Sequence, residues 1–358
     1  MEDTVLKSYI SLLFFIFFIS CGSKQGEYAD NVFFYSEFPQ EKELKGETIQ
    51  LDTALFRYPF RIQVEGDKAI VMDLHAPDHY THLFQYPGFR YLSSFGRRGD
   101  SPAEMLSIEN IRFYNHKVWN LDANKRKLTR LGFSSSGDSL LRDEAVTLDE
   151  DILRPLDFAI YNDTTFIIPD YSGENRLCWL NDDGKLVKKI GAIPSINNQA
   201  LQKARPALAQ VWRSFIDYNS HNGVLAMVTQ LGEVLEVYNF KDSTEVIRIG
   251  ENGEPKFKVF EGYGIPSGIM GFSDVQVTDN AIYAVFHGTT FKEIARHNGS
   301  LPDGGKYIYV FSLKGEPLCK YVLDHYVYGI WVDEDTKTII ATDVNNDQPI
   351  VKFNYGLV

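Results

Sequence analysis

Beyond residue 46 the apolar positions fall in short runs separated by polar turns, and the runs recur in groups of four. The clearest group spans 156–191. Leu156-Asp157-Phe158-Ala159-Ile160 leads to the turn Asn162-Asp163, and Thr165-Phe166-Ile167-Ile168 forms a second run. Residues 175–180 and 186–190 make the third and fourth, on either side of Asn181-Asp182-Asp183-Gly184. Runs of this length, rich in β-branched and aromatic residues and bounded by Asn, Asp and Gly, read as strands, and a turn containing Gly between two of them reads as a hairpin. The same punctuation predicts strands at 59–65, 69–73, 81–86 and 89–95, ending on Phe95-Gly96, and at 108–114, 117–121, 127–131 and 140–146. Further groups lie at 211–218, 224–229, 234–240 and 244–249, and at 272–277, 281–286, 307–312 and 318–323.

The last group offers only 329–332, 338–342 and 349–353 before the chain ends. One strand is missing, and the alternating segment Glu47-Thr48-Ile49-Gln50-Leu51-Asp52 is placed to supply it. A ring closed by strands from both ends of the chain leaves no open sheet edge at the seam. The expected fold is therefore all-β: a six-bladed β-propeller over 46–358, with four-stranded antiparallel blades and an N-terminal strand in the last blade. Helical spacing is confined to 197–213, where Ala200, Leu201, Ala204, Ala207, Leu208 and Val211 predict a short helical insertion that Pro206 divides into pieces.

The pattern differs before residue 46. Residues 8–20 form one apolar run that stops at Cys21, followed by Gly22-Ser23. A bilayer span needs about 20 apolar residues, so this run has the length of a signal-peptide core. A small residue ahead of a cysteine at its end looks like a bacterial lipoprotein signal, with Cys21 as the lipidated mature N-terminus. The expected division is a signal peptide over 1–20, a tether over 21–45 and the propeller thereafter. The location expected is the cell envelope, lipid-anchored at the outer membrane, on its periplasmic or its surface side.

Composition narrows the partners. The net charge is −12 and the acidic residues are dispersed, which argues against nucleic acid and leaves the N-terminal lipid as the expected membrane attachment. Aromatic residues reach 14 %, as a strand-rich body requires. With Cys21 assigned to lipid, Cys178 and Cys319 fall in different repeat units and are expected as buried free thiols.

Phe95-Gly96-Arg97-Arg98-Gly99-Asp100-Ser101-Pro102-Ala103-Glu104-Met105 resembles the Gly-Arg-x-Gly-x-Gly-Pro-Gly-Glu-Phe phrase of six-bladed propeller lipoproteins of Bacteroidetes, of the TolB-like and NHL-like kind. Ser101, Ala103 and Met105 stand where that phrase has Gly, Gly and Phe. The resemblance implies the propeller architecture and the lipoprotein start. Physically, the glycines permit a tight turn between blades, Pro102 stiffens it, and Glu104 is expected to accept nearby backbone hydrogen bonds.

In a propeller, the loops from fourth to first strands and from second to third strands gather on one face around the channel. That face is expected to receive Arg97, Arg98, Tyr171, Arg176, Trp212, Arg213, Tyr263 and His287, with His75, Asp78, His79 and Tyr80 nearby. Aromatic rings with Arg suit a protein or glycan interface. No nucleophile elbow, His-Glu-x-x-His helix or phosphate-binding loop occurs, so no catalytic residue, metal ligand or cofactor is assigned. The expected function is a non-enzymatic binding or scaffold module for a protein or glycan of the envelope. The alternative is a metal-dependent hydrolase or lyase, lactonase-like or amidating-lyase-like, with ligands drawn from several blades at the channel mouth.

Overall fold

Each repeated group of strands folds into one sheet. In the computed structural model, which describes residues 27–52, 56–297 and 300–356, six sheets stand around a central axis. Blade 1 comprises Pro59–Glu65, Lys68–Asp73, His79–Gln85 and Arg90–Arg97, and blade 2 Ile108–Tyr114, Lys117–Asp122, Lys127–Phe133 and Leu140–Thr147. Blade 3 comprises Ala159–Asn162, Thr165–Pro169, Asn175–Asn181 and Leu186–Ala192, and blade 4 Ser214–Asn219, Val224–Thr229, Val234–Asn239 and Thr244–Ile249. Blade 5 contains Phe272–Val277, Ala281–Phe286, Gly305–Ser312 and Pro317–Val327. Blade 6 contains Ile330–Asp333, Thr338–Thr342 and Ile350–Asn354, and Gly46–Thr48 pairs antiparallel with its last strand as Thr48 with Val351 and Gly46 with Phe353. The ring is closed as the sequence predicts.

The hydrophobic core is divided among the seams between blades. Ile70, Tyr80 and Leu83 of blade 1 pack on Ile108 and Ile111 of blade 2, and Leu121 and Leu128 of blade 2 pack on Phe158 and Phe166 at blade 3. Equivalent clusters join blades 3 and 4, 4 and 5, 5 and 6, and, through Ile62, Phe84, Ile340 and Ile350, blades 6 and 1. One face of each strand serves the seam on one side and the other face the seam on the other. That is why the middle strands, such as Val224–Thr229 and Ala281–Phe286, are buried throughout and read as continuous apolar runs.

Two first strands begin three residues later than expected, each for a local reason. The first strand of blade 3 begins at Ala159, because the Asp157 carboxylate reaches across to the Ile216 amide (2.8 Å) and Leu156 turns into the face of the ring. The first strand of blade 4 begins at Ser214, because Val211 still ends a helix. The helical insertion is in two pieces, Asn198–Lys203 and Arg205–Val211. Asn197 caps the first by accepting from the Ala200 amide (3.1 Å), and Pro206 lies in the first turn of the second, where no amide hydrogen bond is lost.

The expected tether over 21–45 is corrected for its second half. Val32–Phe34 pairs in parallel with the outer strand of blade 4, as Val32 with Ile247 and Phe34 with Ile249. Glu41–Leu44 pairs in parallel with the outer strand of blade 5, as Glu41 with Lys320 and Leu44 with Leu323. Between them, Tyr35 and Phe38 pack edge-on to Phe311 with ring centroids 5.6 and 5.4 Å away. An unpaired outer strand is an open edge, and these segments cover two of them. The signal run and Cys21 lie outside the described residues. Cys178 and Cys319 are free and buried. Among the described residues, no helix is long and apolar enough to cross a membrane.

Candidate functional site

The first strands of the blades line the axis, and their side chains close it. Arg112 of blade 2 donates to Asp157 (3.0 Å), Asp217 (3.1 Å), the Phe158 carbonyl (3.0 Å) and the Ile216 carbonyl. Asp217 accepts from the Val277 amide (2.8 Å) and Asp274 from the Ile330 amide (2.9 Å), so a carboxylate on one blade holds the backbone of the next around half the ring. Arg61 approaches Asp274 at 3.4 Å and is fully buried. The three carboxylates and Arg112 are committed to one another and to backbone, as buried charges require, whereas Arg61 donates only to the Phe60 carbonyl (3.1 Å).

Burial pushes the Asp217 carboxyl up to about 6 from its ordinary 3.8, against the opposing pull of Arg112. A carboxyl whose folded value is raised stabilises the fold below its unfolded value, and that contribution is lost as pH rises through the folded one. Relative to Asp217→Asn, the native chain is therefore expected to lose roughly 2 kcal/mol of stability between pH 4 and pH 7. Urea denaturation at those two pH values measures it. A difference between the two proteins that stays constant with pH would contradict the assignment.

Above this closed axis lies a cavity of about 460 Å³ on the face carrying the fourth-to-first and second-to-third strand loops. All six blades reach it. Blade 1 supplies Tyr58, Phe60 and His75; blade 2 Glu109; blade 3 Leu156 and Tyr171; blade 4 Arg213, Phe215 and Gln230; blade 5 Asp303; and blade 6 Tyr328. One wall is aromatic: Tyr328 lies 4.9 Å from Phe60 and 5.6 Å from Tyr58, and Tyr58 stacks obliquely on His75 at 4.8 Å. Phe60 and Phe215 also pack on buried Arg61, whose guanidinium lies 4.0 Å from the first ring and 4.6 Å from the second.

The polar groups are fixed from behind. Tyr58 donates to the Asp303 carboxylate (2.5 Å), and Asp303 is clamped to blade 6 by two backbone hydrogen bonds with Asn345, each 2.8 Å. Burial, with Tyr328 and Asp303 alongside, pushes the Tyr58 phenol far above its ordinary range, so it stays a neutral donor. Burial also raises the Glu109 carboxyl, which accepts from Ser107, while Arg213 opposes the rise from nearby. Tyr171 donates to the Ser214 carbonyl (3.1 Å). The result is a ring-lined wall with a guanidinium, two carboxyls and an amide about it.

A family model for TolB-like six-bladed propeller-like domains matches residues 36–335. The chain belongs to that family. This TolB-like propeller is similar in structure to a putative exported protein from Bacteroides fragilis, at 10 % identity over 90 % of this chain and 98 % of that one, with a TM-score of 0.53. It is similar to a member of the duf4221 family from Bacteroides vulgatus, at 10 % identity over 89 % and 97 % of the two chains, TM-score 0.52. An auxiliary nutrient binding protein from Bacteroides ovatus matches at 10 % identity over 84 % and 69 %, TM-score 0.51. At these identities the likeness is one of fold. A comparison with curated proteins finds no match.

Within the TolB-like ring, the residues expected at the site separate. Tyr171 and Arg213 line the mouth. His287 stands just behind it, edge-on to Tyr328 at 5.5 Å, in an adjoining cavity of about 260 Å³ that shares Asp303. Burial lowers its imidazole to about 4, so it is neutral. Arg176 and Trp212 are corrected: both are 1 % exposed, because Arg176 binds Glu236 and the Trp212 carbonyl at the seam of blades 3 and 4. Arg98 is corrected likewise. It lies 3.8 Å over the Tyr80 ring and donates to the Leu74 carbonyl, holding its loop in place. Tyr263 projects from a separate hairpin.

Arg97 is 73 % exposed and pairs with Glu104 (3.5 Å) beside a different, smaller cavity of about 220 Å³. Glu104 also accepts from the Ser101 amide (3.1 Å), the structural role expected for this loop. Gly99 has a φ of +152°, a backbone conformation that a side chain would strain, so the close turn requires glycine. Sequence reading missed Tyr58, Phe60, Glu109, Gln230, Asp303 and Tyr328. Their one shared signal is position, at or just before the start of a first strand or in the loop from a second strand to a third. For the hydrolase alternative, no three His, Cys, Asp or Glu residues converge as a metal-ligating group among the described residues.

Proposed function

We propose that the chain is a lipid-anchored envelope protein that holds a glycan in the mouth of the ring, as a binding module without chemistry of its own. The observation that carries this reading is the convergence of all six blades on an aromatic wall faced by Arg213, Asp303, Glu109 and Gln230, above an axis closed by its own ion pairs. Sugars present an apolar C–H face, which stacks on a ring, and a rim of hydroxyls, which pair with forked donors and acceptors. A cavity of about 460 Å³ is within the range that small ligands occupy. The description of a solved relative of this fold as a nutrient binding protein is consonant with it, as is the description of another as exported. The signal-like run ending at Cys21 supports an anchor at the envelope.

The test is direct binding. Titration calorimetry against a panel of oligosaccharides is expected to find a ligand whose affinity falls about tenfold or more in Arg213→Ala and in Asp303→Asn. Unchanged melting temperatures would show that the fold survives these changes. A panel that yields no ligand, or a ligand indifferent to both substitutions, would sink the reading. Mass analysis of the mature N-terminal peptide tests acylation of Cys21 separately.

A further inference from the structure

One apolar surface remains unused by the mouth. Phe257–Phe260 and Tyr263–Pro266 form a two-stranded hairpin between blades 4 and 5, with Phe260 opposite Tyr263 and Lys258 opposite Ile265. Its turn, Glu261-Gly262, has positive φ at both residues (48° and 82°), the two-residue form that keeps a hairpin tight and twisted. Alternation gives it two faces. Phe257 packs on the cluster of Ala207, Leu208 and Val211, and Gly264 lies against Ala207 and Val211 while its amide donates to Gln210 (2.9 Å). The opposite face presents Phe260 and Tyr263, each 61 % exposed, with Ile265, and Lys256 and Lys258 stand exposed at its base.

The N-terminal chain emerges at the same place. Tyr28 packs on the cluster that receives Phe257, and Glu254, three residues before the hairpin, helps push its phenol up to about 12, after burial itself. Exposed Phe34 lies 5.3 Å from the Tyr28 ring, extending the apolar surface towards the exit point. Tyr28 stands seven positions after Cys21. Fully extended, those seven steps span about 25 Å at most. A lipid on Cys21 therefore holds this hairpin close to the bilayer.

We propose that the exposed face of the 257–266 hairpin is a second membrane contact, which inserts Phe260, Tyr263 and Ile265 into the interfacial layer of the bilayer that holds the N-terminal lipid. This rests on the lipoprotein reading of Cys21. The side-chain set fits an interface: rings and an aliphatic chain enter the boundary layer, while lysines extend their amines to lipid phosphate. The acyl chains on Cys21 supply the attachment, and a nearby apolar contact fixes the orientation of the body on the bilayer. The hairpin shares the face of the mouth, so insertion turns the mouth towards the membrane and to glycans displayed there.

The test uses the full chain, purified from a bacterial host that acylates lipoproteins and reconstituted in phosphatidylcholine vesicles with brominated acyl chains. Tryptophan is introduced as Phe260→Trp, as Tyr263→Trp, and as Leu141→Trp on the exposed outer strand of blade 2. Each spectrum is corrected for that of the unsubstituted chain. The expected result is that tryptophan at 260 and 263 loses most of its emission to bromine and shifts to shorter wavelength, while tryptophan at 141 does neither. An acylated chain in which 260 and 263 behave as 141 does, through exposure to water or through contact with a second copy, overturns the proposal and leaves the anchor standing. Equal quenching at all three sites is general adsorption and also overturns it. An N-terminal peptide without acyl mass removes the anchor, and the hairpin contact with it, while leaving glycan binding at the mouth to its own test.

Discussion

Arg176→Met is expected to lower the unfolding free energy by about 3–5 kcal/mol, the cost of leaving a buried charge without its partner. Arg176 makes three contacts of 2.6 to 3.1 Å with the Glu236 carboxylate and donates to the Trp212 carbonyl (3.0 Å) and Ser214 Oγ (2.6 Å). Both side chains are shut away from water at the seam of blades 3 and 4, where Tyr238 also donates to Glu236 (2.9 Å). Methionine fills much of the space but supplies no proton to Glu236. Adding Glu236→Gln to Arg176→Met removes the orphaned charge and is expected to recover part of the loss, which a double-mutant cycle by urea denaturation measures. A single-variant loss below about 1 kcal/mol would place the pair among weak surface contacts and contradict the geometry.

The second large effect is expected at the axis. Asp157→Ala removes the acceptor of the Ile216 amide (2.8 Å), the Phe158 amide (2.8 Å) and Arg112 (3.0 Å) at once. Arg112 retains Asp217 but loses its closer partner, and two buried amides lose theirs. The cost is expected at about 3–5 kcal/mol again, with no compensating collapse, because the removed atoms are polar and their partners are fixed backbone. Hydrogen exchange provides a local signature. The amides of Phe158 and Ile216 should lose protection in Asp157→Asn, a milder change expected to keep the fold, while amides at the seam of blades 5 and 6 keep theirs. Uniform loss across the ring would show that the contact acts only through global stability.

The contrast between Arg176 and Arg213 shows where sequence reading reaches its limit. Both are arginines near strand starts, and the sequence pattern places both on the ligand face. What separates them is Glu236, sixty residues away on another blade, which with the Trp212 carbonyl and Ser214 claims Arg176. The blades themselves were legible because their signals are local: a turn such as Asn181-Asp182-Asp183-Gly184 and the apolar runs beside it lie within one sheet. The mouth was not, since Tyr58, Glu109, Asp303 and Tyr328 come from separate blades and meet only when the ring closes. The residues covering the outer edges of blades 4 and 5 were hidden by composition. Glu41-Lys42-Glu43-Leu44-Lys45 is a mixed charge run suited to a tether, and it becomes a strand because an open edge offers it backbone partners.

The three short strands at 32–34, 41–44 and 46–48 also impose an order on biosynthesis. They are made before any blade, yet their partners lie at 247–249, 320–323 and 351–353. Blades 1 to 3 can form as the chain grows, each from neighbouring sequence, whereas the earliest segment of the body must wait for the latest. Until residue 354 is made, the seam between blades 6 and 1 stays open and its apolar face, with Ile62 and Phe84, is uncovered. Completion is thus coupled to the arrival of the whole polypeptide, and a truncated product retains the exposed edges that quality-control chaperones and proteases bind.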